Sequence, residues 1–206
     1  VRLSSSSGGV FTAISNYVLG NGGVVYGAAF DKDLVVRHDK ATNKIDRDRF
    51  KGSKYVQSDL GDIFVDVKSE IENDKMVLFT GTPCQTAGLR AFLRNKDYDN
   101  LVICDLVCHG TTSPRIWQDY ISLLIRKYKN PIKKYLFRFK GGSWHKNSIY
   151  VEFDNNKTIV NKPLVNIIND IFYCHTALRP SCYNCVFANF KRPSDLTMGD
   201  FWGIEK

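Results

Sequence analysis

The sequence predicts an α/β fold with a mostly parallel core sheet, flanking helices, added antiparallel strands and a Cys-rich irregular C-terminal loop. Three observations predict it. Between residues 76 and 128, apolar strand patterns alternate with helical ones. Two of those strands run into short loops, Gly81-Thr82-Pro83-Cys84 and Cys108-His109-Gly110-Thr111-Thr112, that lead straight into helices. After residue 130 the pattern changes to period-2 alternation, then to a stretch dense in Cys, Pro and aromatics. Strand, helix, strand, helix in series argues for parallel strands joined by right-handed crossovers.

The elements follow in order. Gly8 to Leu19 reads as a helix, with Val10, Phe11, Ile14 and Val18 on one face and Ser7 as N-cap. Gly20-Asn21-Gly22-Gly23 stops it. Val24 to Phe30 and Leu34 to His38 read as strands joined by the turn Asp31-Lys32-Asp33. Ser58 is placed to cap a second helix, which repeats Ile63, Val67 and Ile71 and ends at Asn73-Asp74. Met76 to Thr80 is a buried strand, followed by a helix carrying Ala87, Leu89, Ala91 and Phe92. Leu101 to Val107 is another buried strand. The next helix is capped by Ser113, starts at Pro114, a favoured first helical residue, and runs through Trp117, Tyr120, Ile121 and Leu124. Tyr135 to Lys140 and Ile149 to Phe153 read as antiparallel strands, with a turn at Asn155-Asn156 before Thr158 to Val160. Pro163 to Tyr173 is a short helix presenting Leu164, Ile167, Ile168 and Ile171. Residues 174–194 are irregular, and Leu196 to Ile204 reads as a final strand.

The 206 residues suggest one domain spanning 1–206. The chain begins at Val1 with no Met, so a piece of a longer protein is expected. No apolar run approaches the roughly 20 residues needed to span a bilayer, and no secretory leader is visible, so a cytoplasmic protein with no membrane span is expected. With 29 basic and 21 acidic residues the net charge is +8. Arg126, Lys127, Lys129, Lys133, Lys134, Arg138, Lys140 and Lys146 fall between residues 126 and 146 with no acidic residue among them. Elsewhere 21 basic residues balance 21 acidic ones, so the whole excess is one local stripe.

The six cysteines carry the chemistry. Without an export signal a disulfide framework is disfavoured. Cys182-Tyr183-Asn184-Cys185 is a C-x-x-C pair that suits half a zinc site, a redox dithiol or part of an iron–sulfur cluster. The redox reading needs the pair at the start of a helix after a strand, a context absent here. Cys84 and Cys108 each follow a parallel strand, at the carboxyl edge where α/β proteins place ligands. Cys84 also lies in the first turn of a helix, where the dipole favours thiolate. With the C-x-x-C pair, four thiolates would suit an iron–sulfur cluster or structural zinc. Cys104 reads as a core residue. Cys174 competes for a ligand place, and spacing does not exclude it. His109 and His175 neighbour cysteines and offer a mixed zinc site, though such histidines more often support ligands than replace them.

Ser4 to Ser7 with Gly8-Gly9 opens a helix whose free N–H groups suit phosphate. Gly52-Ser53-Lys54-Tyr55 is a small turn with a cation and an aromatic, but it lacks the spacing of a Walker loop. There is no G-x-G-x-x-G, H-E-x-x-H or G-x-S-x-G.

Seven runs together carry a resemblance: Ser5-Ser6-Ser7-Gly8-Gly9-Val10-Phe11-Thr12, Gly23-Val24-Val25-Tyr26-Gly27-Ala28, Lys51-Gly52-Ser53-Lys54-Tyr55-Val56-Gln57-Ser58, Thr80-Gly81-Thr82-Pro83-Cys84-Gln85, Asp105-Leu106-Val107-Cys108-His109-Gly110, Cys182 to Cys185, and Ser194-Asp195-Leu196-Thr197-Met198-Gly199-Asp200-Phe201-Trp202-Gly203. In this order, over nearly the whole chain, the sequence resembles the beta-subunit family of coenzyme F420 hydrogenases and dehydrogenases. The resemblance implies an iron–sulfur flavoprotein oxidoreductase that passes electrons between a 4Fe-4S cluster and FAD. It would thereby link a ferredoxin-like module or protein to a small-molecule acceptor or donor such as F420. It implies Cys84, Cys108, Cys182 and Cys185 as cluster ligands. It places flavin contacts at Ser7, Gly8, Gly9 and Thr12, at Gly52, Ser53, Lys54 and Tyr55, and at Thr80, Gly81 and Thr82. Residues 1–75 then hold flavin contacts and residues 76–206 the cluster. Relatives with an N-terminal ferredoxin-like module and a longer C-terminal region depart from this chain. No side chain is assigned as a catalytic acid or base, though His109 and Lys54 are candidates to stabilise reduced flavin.

Two other readings compete. A structural zinc module for protein interaction would use the same four cysteines. A nucleic-acid binder would use the basic stripe, with Tyr128, Tyr135, Phe137, Phe139 and Trp144 stacking on bases. Period 2 instead puts Tyr135, Phe137 and Phe139 on a core face and Lys134, Arg138 and Lys140 on a solvated one, which argues against nucleic acid. The stripe is expected to steer an anionic partner.

Overall fold

In this computed structural model, which describes residue 5 and residues 7–141 and 148–200, the alternating patterns assemble into two sheets. The first half contains α1 (Val10–Gly20), β1 (Val24–Phe30), β2 (Val36–Ala41), α2 (Lys44–Asp48) and α3 (Ile63–Glu72). Next come β3 (Val77–Gly81), α4 (Pro83–Phe92), β4 (Leu101–Leu106) and α5 (Pro114–Tyr128). Strands β5 (Ile132–Phe139), β6 (Ser148–Phe153) and β7 (Thr158–Val160) precede α6 (Pro163–Tyr173), α7 (Pro180–Tyr183) and β8 (Leu196–Met198).

The main sheet runs β2-β1-β3-β4-β8. Strands β1, β3, β4 and β8 are parallel, and β2 lies antiparallel on the edge. The second sheet, β5-β6-β7, is antiparallel. Strands β1, β3 and β4 are largely buried on both faces, and their residues sort by parity, while β8 at the edge is mostly exposed. Val24, Tyr26, Val77, Phe79 and Ile103 face α3 and α4 through Val67, Ile71, Leu89 and Leu93. Val25, Ala29, Leu78 and Cys104 face α1 through Val18, with Phe11 and Ile14 beside it. A third core joins α5 and α6 to the antiparallel sheet, with Trp117, Tyr120 and Leu124 against Tyr135, Phe137, Ile149 and Val151. Among the described residues no helix is long and apolar enough to cross a membrane.

Several local expectations are corrected. Gly9, not Ser7, holds the N-cap position of α1, with φ 94°, so no side chain caps this helix. Val10 is exposed, while Thr12 and Ser15 face inward because the buried Arg47 of α2 bonds there. Strand β2 starts at Val36, since Asp31 closes the turn by accepting from the N–H groups of Asp33 and Val35. Helix α2 has five residues, too few for a periodic pattern. Asp62 precedes α3, and Ser58 turns to His38 instead of capping it. Phe92 and Ile167 are exposed; Leu93, Val165 and Phe172 take the inward positions.

The basic stripe is not one solvated face. Strand β5 shifts register between Leu136 and Phe139 and then ends. Lys140 is consequently buried, and Arg138 bonds Asp200 at 2.7 Å. Lys133 pairs with Glu152 at 3.0 Å, leaving Arg126, Lys127, Lys129 and Lys134 exposed. Trp144, Lys146, residues 201–206 and the expected strand beyond Asp200 lie outside the described residues, as does Ser6.

Candidate functional site

Strands β3 and β4 pair in parallel up to Gly81 and Asp105, so the loops that leave them start side by side. The first enters α4 with Thr82 at the N-cap, Pro83 next and Cys84 in the first turn, its side chain exposed. The second carries Cys108 just beyond β4, with Sγ 4.0 Å from the Gly110 carbonyl. The C-terminal segment folds onto this second loop. Thr112 bridges Leu178, Arg179 N–H donates to Thr111 O at 3.0 Å, and a Cβ on Gly110 would stand 2.9 Å from Leu178 Cδ1. That docking delivers α7, whose one turn holds Cys182 and is followed by Cys185. Tyr183 braces it by donating to His175 O at 2.6 Å.

The fold thus brings Cys84, Cys182 and Cys185 into the neighbourhood of Cys108. Burial pushes the Cys108 thiol up to about 11, helped by nearby Cys84, Cys182 and Cys185 and opposed by its contact to Gly110. A bound cation would relieve this opposition to forming the Cys108 thiolate. Four sulfur donors with no carboxylate suit an iron–sulfur cluster or zinc. Among the described residues, no group of three or more His, Cys, Asp or Glu side chains is drawn tightly enough to hold a metal ion. Cys104 is fully buried in β4, its thiol pushed up to about 12 by burial and by Asp105 and Asp195. Cys174 is exposed at the C-cap of α6. His109 and His175 bond each other, Nε2 to Nε2, at 2.7 Å, and burial with the neighbouring His175 pushes His109 down.

The three segments expected at the flavin line the same edge of the sheet. Ser7 donates to Gly199 O at 3.4 Å, just past β8. The positions where a Cβ would stand on Gly8 and Gly52 have no neighbour within 4 Å, leaving room for a ligand edge. Thr12 is buried, and its carbonyl accepts from Arg47. Gly52, Ser53 and Lys54 border a cavity of about 320 Å³ shared with Phe30, Lys134 and Arg138. Lys54 Nζ donates to the carbonyls of Phe50, Lys51 and Gly52 at 3.1–3.3 Å, and burial lowers its pKa to about 7. Tyr55 stacks on Phe172 at 4.3 Å and is bonded by Tyr173 at 3.0 Å. Thr80 donates to Tyr26 O at 2.8 Å, and a Cβ on Gly81 would crowd Gln85 Oε1 at 3.1 Å.

Sequence reasoning missed the groups that tie these segments together. Arg47 joins α1 to α2 through Thr12 O, Ser15 Oγ and Asn16 Oδ1. Arg192 joins the C-terminal segment to β4. His38, Ser58 and Gln85 form a bonded line to Thr82. One part was visible: Thr82-Pro83-Cys84-Gln85 has the S/T-x-x-E/Q spacing of a capping box. The rest links residues far apart in sequence.

Comparison with known proteins agrees with this architecture. No curated protein sequence matches the chain. A chain of the F420-reducing NiFe hydrogenase complex from Methanosarcina barkeri, solved as a xenon derivative, has a similar fold, with TM-score 0.57 and 18% identity. The similarity covers 88% of this chain but 60% of that one, so this chain spans less than two thirds of that neighbour's length. Residues 74–206, which contain all six cysteines, match the family described as the C terminus of the coenzyme F420 hydrogenase/dehydrogenase beta subunit. The chain belongs to that family of hydrogenase and dehydrogenase beta subunits.

Proposed function

We propose that this chain is an iron–sulfur flavoprotein unit that passes electrons between a 4Fe-4S cluster and FAD. The observation that carries the reading is geometric: β3 and β4 pair up to Gly81 and Asp105, so the loops bearing Cys84 and Cys108 start side by side, and the segment leading to Cys182 and Cys185 docks on the second of them. Family membership supports the oxidoreductase role. Cys84, Cys108, Cys182 and Cys185 would hold the cluster. Ser7 to Gly9, Thr12, Gly52 to Tyr55 and Thr80 to Thr82 would hold the flavin. The bound groups supply conversion between one-electron and two-electron transfer. The chain orients them: Thr80 to Thr82 lead directly into the turn that bears Cys84, which keeps flavin and cluster sites adjacent. Leu178 and Tyr183 hold the C-x-x-C turn over Gly110. No side chain is needed as a general acid.

The neighbour's place in a hydrogenase complex supports docking to partner subunits, and a ferredoxin-like module is the proposed electron partner. The exposed Arg126, Lys127, Lys129 and Lys134 would steer it. A small molecule such as F420 is the proposed two-electron partner, in the cytoplasm. Anaerobic reconstitution with iron, sulfide and FAD tests the core of the reading. About four irons and one flavin per chain are expected, with the matching visible spectrum. A colourless protein in every attempt, including with any longer form of the chain, overturns it. One zinc per chain, indifferent to oxygen, would establish a structural zinc module in its place.

A further inference from the structure

A continuous line of side-chain hydrogen bonds runs from the buried His38 of strand β2 to Cys84, and its donor directions are fixed as far as Thr82. His38 is 7% exposed and stacks on Phe79 at 5.5 Å. Its Nε2 lies 3.0 Å from Thr80 O, which can only accept, so Nε2 carries the proton. Burial keeps the ring neutral, lowering its pKa to about 4. Nδ1 is therefore bare and accepts from Ser58 Oγ at 2.8 Å. Ser58 Oγ, its proton committed, accepts from Gln85 Nε2 at 2.8 Å. That fixes the amide orientation, and Gln85 Oε1 faces Thr82. It accepts from Thr82 N–H at 3.0 Å and lies 3.1 Å from Thr82 Oγ1. Thr82 Oγ1 is also 3.2 Å from Cys84 Sγ.

Everything in this line is settled except one proton. The Thr82 hydroxyl has a single hydrogen and two acceptors in reach, Gln85 Oε1 and Cys84 Sγ. While Cys84 is a thiol it can donate to Thr82 Oγ1, and the hydroxyl proton stays on Gln85. A sulfur bound to metal has no proton to give and is an acceptor alone. The hydroxyl proton is then shared between two acceptors, the sulfur and Gln85 Oε1, while Gln85 keeps the Thr82 N–H.

We propose that Thr82, held by Gln85, Ser58 and His38, is a positioning residue whose hydroxyl donates to the metal-bound Cys84 sulfur and raises the reduction potential of the cluster. The inference rests on the reading of Cys84 as a cluster ligand. A hydrogen bond to a ligand sulfur stabilises the more negative, reduced state, which is how proteins tune such clusters.

The test is a potentiometric titration of the reconstituted chain, read by electron paramagnetic resonance of the reduced cluster. Thr82→Val, nearly the same in shape, should lower the ratio of reduced to oxidised cluster at fixed potential roughly tenfold, about 59 mV for a one-electron couple. Thr82→Ser keeps the hydroxyl and should restore the parent midpoint. Gln85→Met removes the competing acceptor, while the Thr82 carbonyl still accepts from the N–H groups of Gln85 and Thr86 at 2.9 and 3.0 Å and keeps the residue at the head of α4. The midpoint should therefore move upward, a sign reversal that a loss of packing would not produce. Iron and sulfide content are measured on every sample. A normally loaded cluster with an unchanged midpoint in Thr82→Val overturns the inference and leaves the cluster reading standing. Absence of cluster from the parent chain and every variant overturns both. If Thr82→Val does not fold, the Gln85→Met midpoint decides: a rise supports the proposal, and no change or a fall rejects it.

Discussion

Arg192 Nη2 stands 3.1 Å from Oδ2 of Asp105, a carboxylate with no exposed surface. Neither Asp105 oxygen has a well-aligned hydrogen-bond donor among the described residues, so the guanidinium charge is its compensation. The same Arg192 donates to Leu106 O at 2.7 Å and to Phe187 O at 3.1 Å. It thus fastens the segment after the C-x-x-C turn to the strand that precedes Cys108.

Removing Arg192 should be costly because it strands a buried charge. Arg192→Ala is expected to destabilise the chain by about 3–5 kcal/mol, the range for breaking a buried pair. Adding Asp105→Asn to that variant should recover part of the loss. Urea unfolding followed by circular dichroism measures both. Equal stabilities for the single and double variants would show that Asp105 does not depend on Arg192.

His38 gives a defined pH dependence. Its folded pKa is about 4, against an ordinary value of 6.5, and burial is the main cause. Between those values the unfolded chain binds a proton that the folded chain refuses. The stabilising contribution is therefore complete above pH 6.5 and is lost as pH falls toward 4. The full loss is about 3 kcal/mol by linkage. His38→Gln should flatten this window in unfolding free energies measured between pH 4 and 7. An unchanged slope would place the titration elsewhere.

The sheet was legible because its signals are local. Short continuous apolar runs marked β3 and β4 as buried strands, and Ser113-Pro114 marked the start of α5. Cys84 and Cys108 could be placed at one edge because parallel strands put their ends together. The docking of α7 was not legible, since it depends on Leu178 over Gly110 and Arg179 on Thr111, contacts that no spacing encodes. The same holds for Arg47. Its burial looks unfavourable in a five-residue helix until the polar face of α1 supplies Thr12, Ser15 and Asn16. Lys140 looked solvated because period 2 was extended through a register shift that breaks it.

Trp117 tests the core beneath the second sheet. It has no exposed surface, meets Tyr135 edge-on at 4.8 Å, and donates from Nε1 to Leu34 O at 2.6 Å. Trp117→Ala should cost about 3–5 kcal/mol through the cavity it leaves. Trp117→Phe should cost less, chiefly about 1–3 kcal/mol for the unpaired Leu34 carbonyl. Chemical denaturation of both variants checks the order. A smaller loss for Ala than for Phe would contradict this packing.

The six cysteines separate by environment, and substitution should separate them by function. Cys104 is enclosed between β4 and α1 with Val18, Val25 and Leu78, where its thiol resists ionisation. Cys104→Ala should lower stability by about 1 kcal/mol, as for a small core truncation, and leave metal content unchanged. Cys108 sits where three other thiols act on it, so Cys108→Ala should abolish stable iron loading while leaving the fold intact. Cys174 caps α6 and is exposed, so Cys174→Ser should change neither stability nor loading. Iron and sulfide assays after anaerobic reconstitution, beside thermal unfolding of each apo-variant, read both properties independently. Loss of iron in Cys174→Ser with full loading of Cys182→Ser would transfer the fourth ligand place from Cys182 to Cys174. Equal loading of all variants would remove the cysteines from metal binding altogether.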